Sequence, residues 1–271
     1  MGQIQLKNGL DHISLALLAA LLVLRFPFLM AGNLLLDSEL VMSIYLDGTY
    51  LCSALLIAHQ RQRLTLSNIT AEAVWLFLAM PFASAAVNLT FYTWATGQGG
   101  HWSPVQMVTA AALGYYLWKT GDARLIRQEK HRFCVWMALT VAVAAGAAVL
   151  YDLPNSATPP VATARITTLG ALCIYQMGTA ALAEEPLFRG FMWGTLRQLG
   201  CTDLVICFIQ GALFAVGHLY YLFSAPYSFW VLVPTAALLL GVIAWRSRSI
   251  LFSMIAHAIL NGLGEFLRFY V

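Results

Sequence analysis

Residues 181–190 read ALAEEPLFRG. Two adjacent glutamates, Glu184 and Glu185, interrupt an apolar run that extends from residue 161 toward residue 198. Because an ionisable side chain at membrane depth costs at least ~2.5–3.5 kcal/mol on insertion scales, such residues are candidates for function. The stretch therefore indicates a membrane helix with a polar site inside it.

The composition of the whole chain is typical of a membrane protein. Of its 271 residues, 60% are hydrophobic and 10% are charged, and the mean hydropathy is +0.74. Soluble domains carry about 25% charged residues. The net charge of +3 comes from basic residues in short loops, which is a signal of membrane topology and not of a nucleic-acid-binding surface.

The hydropathy pattern predicts the fold class. Nine segments approach the ~20 apolar residues of a membrane-spanning helix: 12–35, 39–58, 71–95, 103–118, 133–151, 161–198, 202–223, 228–245 and 249–270. The fourth segment is short and the second contains Asp47, so we predict eight or nine spans. Since no segment shows a strand-like alternation, we predict an all-α fold, a polytopic transmembrane helical bundle.

Basic residues divide the loops into two kinds. The loops ATGQGGH, DLPNSATPP and YLFSAPYS contain no Lys or Arg. Most basic residues gather in the other loops, at Lys7, Arg61, Arg63, 119–132, Arg197, Arg246 and Arg248. Because short cytoplasmic loops are enriched in Lys and Arg, we predict a cytoplasmic amino terminus. The proline loop DLPNSATPP separates amino-terminal spans, residues 1–160, from the core spans, residues 161–271.

The two glutamates have different positions on a helix. Arg189 follows Glu185 by four residues, so these two can form an ion pair on one face. Adjacent residues on a helix differ by about 100°, so Glu184 points elsewhere and is the carboxylate that we expect to act on water. A structural salt bridge explains the same residues equally well. Pro186 predicts a kink or a break in this helix.

Two further motifs, FAVGH at residues 214–218 and HAILN at residues 257–261, place polar residues on other spans. His257 and Asn261 share a helix face, and each motif alone is as typical of interhelical hydrogen bonds as of catalysis. Together with a glutamate they form a set suited to peptide-bond hydrolysis. A glutamate and a histidine can activate water, and a histidine and an asparagine can donate to the developing oxyanion.

The motifs resemble those of the CAAX prenyl protease and bacteriocin-processing family of intramembrane proteases, which includes type II CAAX prenyl endopeptidases. EEPLFR, FAVGH and HAILN match the family pattern EExxxR, FxxxH and HxxxN in order, over about residues 165–265. The family fold is a helical bundle around a membrane-embedded cavity. The resemblance therefore implies such a cavity in this chain.

The resemblance also implies a role for each motif. Glu184 with His218 would activate the hydrolytic water, and His257 with Asn261 would stabilise the oxyanion. The supporting residues would be Glu185, Arg189 and Phe214. The family has been described both as zinc-dependent and as metal-free, and Glu184, His218 and His257 are the side chains that could ligate zinc. We expect no metal cofactor, because HExxH is absent and an asparagine suits an oxyanion donor better.

The substrate class is a membrane-anchored or lipidated protein or peptide in the lipid bilayer. At ~1.5 Å per residue, His218 lies roughly 24 Å and Glu184 roughly 21 Å from the cytoplasmic ends of their spans, whereas His257 lies only about 12 Å away. The first two depths favour bacterial processing of a sorting tail or leader. The alternative is a prenyl-CAAX endopeptidase that removes a carboxy-terminal tripeptide.

Alanine and arginine richness with only three lysines suggests a bacterial inner membrane as the location. Alternatives of another class are a proton-coupled transporter, since carboxylates and histidines can relay protons, and a catalytically inactive peptide-binding membrane protein. The inverted repeats typical of transporters are not evident. The sequence sets no oligomeric state.

Overall fold

The structure, a computed structural model, describes residues 11–35, 38–92, 101–120, 130–152 and 166–270. Within these ranges the chain forms helices and turns but no strand, which confirms the all-α prediction. Lys7, residues 153–160 of the proline loop and the predicted boundary between residues 160 and 161 lie outside the described residues.

Each of the nine apolar segments corresponds to a helix. In chain order these are α1 (His12–Gly32), α2 (Ser38–His59), α3 (Ala71–Phe91), α4 (Pro104–Lys119), α5 (Lys130–Leu150), α6 (Ile166–Gln198), α7 (Asp203–Val216), α8 (Ser228–Ser247) and α9 (Ile250–Leu267). Seven of these described helices are long and apolar enough to cross a membrane. The other two, α4 with 16 residues and α7 with 14 residues, are shorter than the ~20 residues of a full crossing.

Side-chain caps determine where several helices begin. Ser103 precedes Pro104 and accepts hydrogen bonds from the backbone N–H groups at the start of α4. Thr202 caps α7 and Thr70 caps α3 in the same way. Because the first N–H groups of a helix have no partner within it, such caps satisfy donors that would otherwise be unpaired.

Helix α6 is the centre of the bundle. Every residue from 181 to 194 is buried, including the large side chains of Phe188 and Trp193. Helix α9 packs against both α5 and α6, α7 packs against α8, and α1 packs against α2. The segment with the two glutamates is therefore enclosed by protein and not exposed to lipid.

Wide π-helical turns adjoin the charged residues of the core. Helix α6 has two, Met177–Ala181 and Pro186–Phe191, and α1 has one at Leu24–Phe28. The helix does not break at Pro186, whose φ of −59° and ψ of −39° are helical. The wide turn accommodates the missing proline N–H. Such turns are frequent at functional sites because the extra residue rotates the side chains that follow.

A polar cluster at one end of the bundle holds α6, α7 and α8 together. The Asp203 carboxylate accepts hydrogen bonds from Trp193 Nε1 at 3.0 Å, Arg197 Nε at 2.7 Å and Arg248 Nη1 at 3.0 Å. Arg197 Nη1 also donates to Asn68 Oδ1 at 3.0 Å, in the loop before α3. These contacts hold the end of α6 in register with its neighbours.

Close helix contacts at glycine predict a matched pair of stability effects. A Cβ at Gly178 of α6 would lie 2.5 Å from the Ser84 side chain of α3, whereas a Cβ at Gly170 on the same helix would meet no atom within 4 Å. We expect Gly178→Ala to destabilise the protein by about 1–3 kcal/mol through overpacking. Gly170→Ala should be neutral or stabilising by about 0.5–1 kcal/mol. Thermal unfolding in detergent measures both, and equal effects would contradict the packing of α3 on α6.

Candidate active site

A cavity of about 740 Å³ opens beside α6 and is lined by residues from both halves of the chain. The four residues predicted to be catalytic all line it: Glu184, His218, His257 and Asn261. Its wall also includes Arg25 from α1 and Tyr45 from α2. The structure therefore brings the predicted side chains to one cavity and adds residues from the amino-terminal helices.

Glu185 and Arg189 form the predicted ion pair. Arg189 Nη1 lies 3.0 Å from Glu185 Oε1, and neither side chain is exposed. The second guanidinium nitrogen, Nη2, donates to the Ala237 carbonyl oxygen at 3.1 Å, and the guanidinium carbon lies 4.5 Å from the centre of the Phe214 ring. Arg189 therefore joins Glu185 to α8 and to the Phe214 ring, while its buried Nε has no hydrogen-bond partner among the described residues.

Glu184 differs from the prediction in one respect, because it has a cation of its own. Its Oε1 lies 3.0 Å from Nη2 of Arg25, a residue that the sequence reading left outside the site. Its Oε2 is buried and accepts no hydrogen bond from the described residues, and His257 Nε2 lies 3.9 Å from it. Glu184 is therefore charge-compensated on one oxygen and open to a further donor on the other.

His218 lies in a turn and not within a helix, because α7 ends at Val216. The helix predicted over residues 202–223 is therefore shorter in the structure, where it covers Asp203–Val216. His218 Nδ1 lies 2.8 Å from the Phe214 carbonyl oxygen. Since a carbonyl only accepts, Nδ1 carries the hydrogen and Nε2 keeps its lone pair. Arg25 Nη2 lies 3.2 Å from Nε2 and 3.3 Å from Nδ1.

His257 and Asn261 occupy the α9 wall of the cavity. His257 Nδ1 lies 2.8 Å from Glu185 Oε1, so the buried carboxylate orients the ring and Nε2 faces Glu184. Asn261 Nδ2 donates to Gln176 Oε1 at 3.2 Å. An amide nitrogen has two hydrogens, which leaves the second one for another acceptor.

Arg25, Tyr45 and Gln176 are cavity residues that the site prediction missed. Arg25 carried a signal, because it is the one charged residue between His12 and Gly32 and charged residues inside a span are candidates for function. It also continues the buried face formed by Leu18 and Leu21. Tyr45 and Gln176 are uncharged residues with no distinguishing pattern in the sequence.

The donor set does not fit a metal ion in this arrangement. No three His, Cys, Asp or Glu side chains in the described ranges are grouped as a metal site requires. Zinc lies about 2.0–2.2 Å from nitrogen and oxygen ligands. The Arg25 guanidinium nitrogen lies 3.0 Å from Glu184 Oε1 and 3.2 Å from His218 Nε2, so a positive charge already contacts two of the three candidate ligands.

Residues 166–263 match the family model described as Type II CAAX prenyl endopeptidase Rce1-like. The match contains all three motifs and confirms the resemblance for this segment, whereas Arg25 and Tyr45 lie outside it. Comparisons with the curated proteins and with the solved structures found no match. The family is one of membrane proteases, and with the seven apolar helices it identifies the chain as an integral membrane protein.

The Glu185–Arg189 pair predicts a large and partly reversible loss of stability. Arg189→Met would leave a fully buried carboxylate without its cation, which costs about 3–5 kcal/mol. Removing both charges in Glu185→Gln/Arg189→Met should restore part of that loss, because no unpaired charge is then buried. Thermal unfolding in detergent measures both variants. A double variant as unstable as the single one would contradict the pairing.

Proposed function

We propose that this chain, which carries an Rce1-like domain at residues 166–263, is an intramembrane endopeptidase that hydrolyses a peptide bond of a membrane-bound protein or peptide. One observation carries the proposal. The buried carboxylate of Glu184 has one oxygen without a hydrogen bond, and it lies with two histidines from other parts of the chain on a cavity large enough for a peptide segment. A general base has to be within reach of the water whose proton it takes.

The first step uses Glu184 and His218. Water bound at the Glu184 carboxylate transfers a proton to it while the hydroxide attacks the carbonyl carbon of the scissile bond. His218 assists as a second acceptor, because its Nε2 holds a lone pair when Nδ1 donates to Phe214. The proton taken by Glu184 then passes to the leaving nitrogen as the C–N bond breaks, so that atoms and charge balance.

The second pair, His257 and Asn261, supports the proposed oxyanion site. Asn261 has one amide hydrogen beyond its bond to Gln176. His257 donates from Nε2 only as an imidazolium, and the carboxylates of Glu185 at 2.8 Å and Glu184 at 3.9 Å compensate that charge. Preorganised donors of this kind are often the largest single contribution to acyl-transfer catalysis.

Our preferred substrate is a bacterial membrane-bound protein or peptide from which a sorting tail or leader is removed. A prenyl-CAAX protein that loses its carboxy-terminal tripeptide is the second candidate. The preference rests on the predicted depth of Glu184 and His218 below the cytoplasmic ends of their spans. The proposed location is the bacterial inner membrane with a cytoplasmic amino terminus.

A comparison of peptides from membranes with the wild-type protein, with Glu184→Gln and without the protein identifies the substrate. We expect fragments that occur only with the wild type and whose termini define the cleaved bond. If the three samples contain the same peptides, a transporter or an inactive peptide-binding protein explains the chain better.

Substitutions at the site should distinguish the water-activating pair, Glu184 and His218, from the oxyanion pair by the size of the loss in activity. We expect Glu184→Gln and His218→Ala to abolish cleavage, and Asn261→Ala to lower kcat by about 10²–10³-fold, as for loss of one oxyanion donor. Glu39→Gln and His131→Ala, two exposed positions away from the cavity, are the matched controls. Full cleavage by the Glu184 or His218 variant, folded in detergent, would reject the water-activating assignment.

We also propose that the reaction needs no metal, because a guanidinium contacts two of the three candidate ligands. We expect purified protein to contain no stoichiometric zinc and to keep its activity in chelator. Elemental analysis and a cleavage assay with and without chelator check this. Stoichiometric zinc together with a loss of activity that added zinc reverses would contradict it.

A further inference from the structure

We propose that Arg25 is a positioning residue of the active site, which holds the Glu184 carboxylate charged and oriented beside His218. The inference rests on the proposed protease function and adds a residue from α1, outside the matched segment 166–263. It implies that the matched segment alone does not contain the complete site.

The contacts of Arg25 connect the two residues of the water-activating pair. Its Nη2 lies 3.0 Å from Glu184 Oε1 and 3.2 Å from His218 Nε2. The residue is 2% exposed although it is an arginine in the middle of an apolar helix. Because one nitrogen contacts both side chains, the position of Arg25 sets the position of Glu184 relative to His218.

The other arginine that acts on Glu184 is Arg189. Arg189 is used by Glu185 and by the Ala237 carbonyl oxygen. The charged and titratable groups around Glu184 are Arg25, Arg189, His218, His257, Glu185, Tyr45 and Tyr220. A carboxylate that is 6% exposed needs a cation to stay charged, and Arg25 is the cation in direct contact with it.

The surroundings of Arg25 are shaped to hold it. The π-helical turn Leu24–Phe28 carries Arg25, and the guanidinium lies 5.7 Å from the centre of the Tyr45 ring. Gly217 also leaves room for it, since a Cβ there would lie 3.0 Å from Arg25 Nε and 3.4 Å from Nη2. Three parts of the chain therefore accommodate this one side chain.

Kinetic constants test the positioning role with the Glu184-dependent peptide found by the membrane comparison. Arg25→Gln should lower kcat on the order of 100-fold, as when a preorganised electrostatic contact is lost, with KM changed by less than about threefold. Arg25→Lys, which keeps the charge, should retain activity within about tenfold of the wild type. Arg63→Gln, an exposed loop position, is the matched control. A Gln variant with wild-type kcat, or a loss in KM alone, would overturn the proposal.

Gly217→Ala tests the same role with all charges present, in case Arg25→Gln does not fold. A Cβ at this position would lie 3.0 Å from Arg25 Nε, so the guanidinium has to shift by a few tenths of an ångström from Glu184 and His218, and we expect a lower kcat in a folded protein. An unchanged kcat would overturn the proposal.

Infrared spectroscopy tests the charge of Glu184 without any substrate. The difference between the wild type and Glu184→Gln should contain the band of an ionised carboxylate. The difference between Arg25→Gln and Arg25→Gln/Glu184→Gln should contain the band of a protonated carboxyl. An ionised band in both differences would overturn the proposal. If no peptide is cleaved in a Glu184-dependent way, the protease function fails and this measurement still decides the role of Arg25.

Discussion

Two ion pairs buried in a membrane bundle, Glu185–Arg189 and Glu184–Arg25, constrain the rest of this structure. A buried charge without a partner is far more costly than a buried pair, so neither glutamate is tolerated without its arginine. The first pair lies within α6 and requires α6 to be central. The second joins α6 to α1 and requires the first helix to pack beside it. Both requirements are met in the observed arrangement.

The two glutamates differ in how much of each carboxylate is committed. Glu185 Oε1 contacts both Arg189 and His257, in a position with no exposure. It therefore acts as a fixed anchor for a histidine of the cavity wall. Glu184 shares one oxygen with Arg25 and presents the other toward His257. Glu185 therefore fixes the geometry of the cavity wall, and Glu184 keeps one carboxylate oxygen for a further contact.

The backbone contributes to the site as directly as the side chains. Wide turns on both sides of Leu182–Glu185, and another that carries Arg25, rotate these residues relative to a regular helix. The close contact of Gly178 with Ser84 fixes α6 against α3. Pro186 ends up inside a wide turn and not at a break, so the helix keeps Glu185 and Arg189 one turn apart.

Hydropathy and helical spacing by themselves determined the nine helical segments, the all-α class and the pairing of Glu185 with Arg189, because these depend on neighbours within a few residues along the chain. The set Glu184, His218, His257 and Asn261 came from three motifs read together through their resemblance to a known family. Only the tertiary structure decided that Glu184 pairs with Arg25 and that His218 lies in a turn. Arg25 and His218 are 193 residues apart, and a contact over that distance is set by how whole helices pack, which no local pattern encodes.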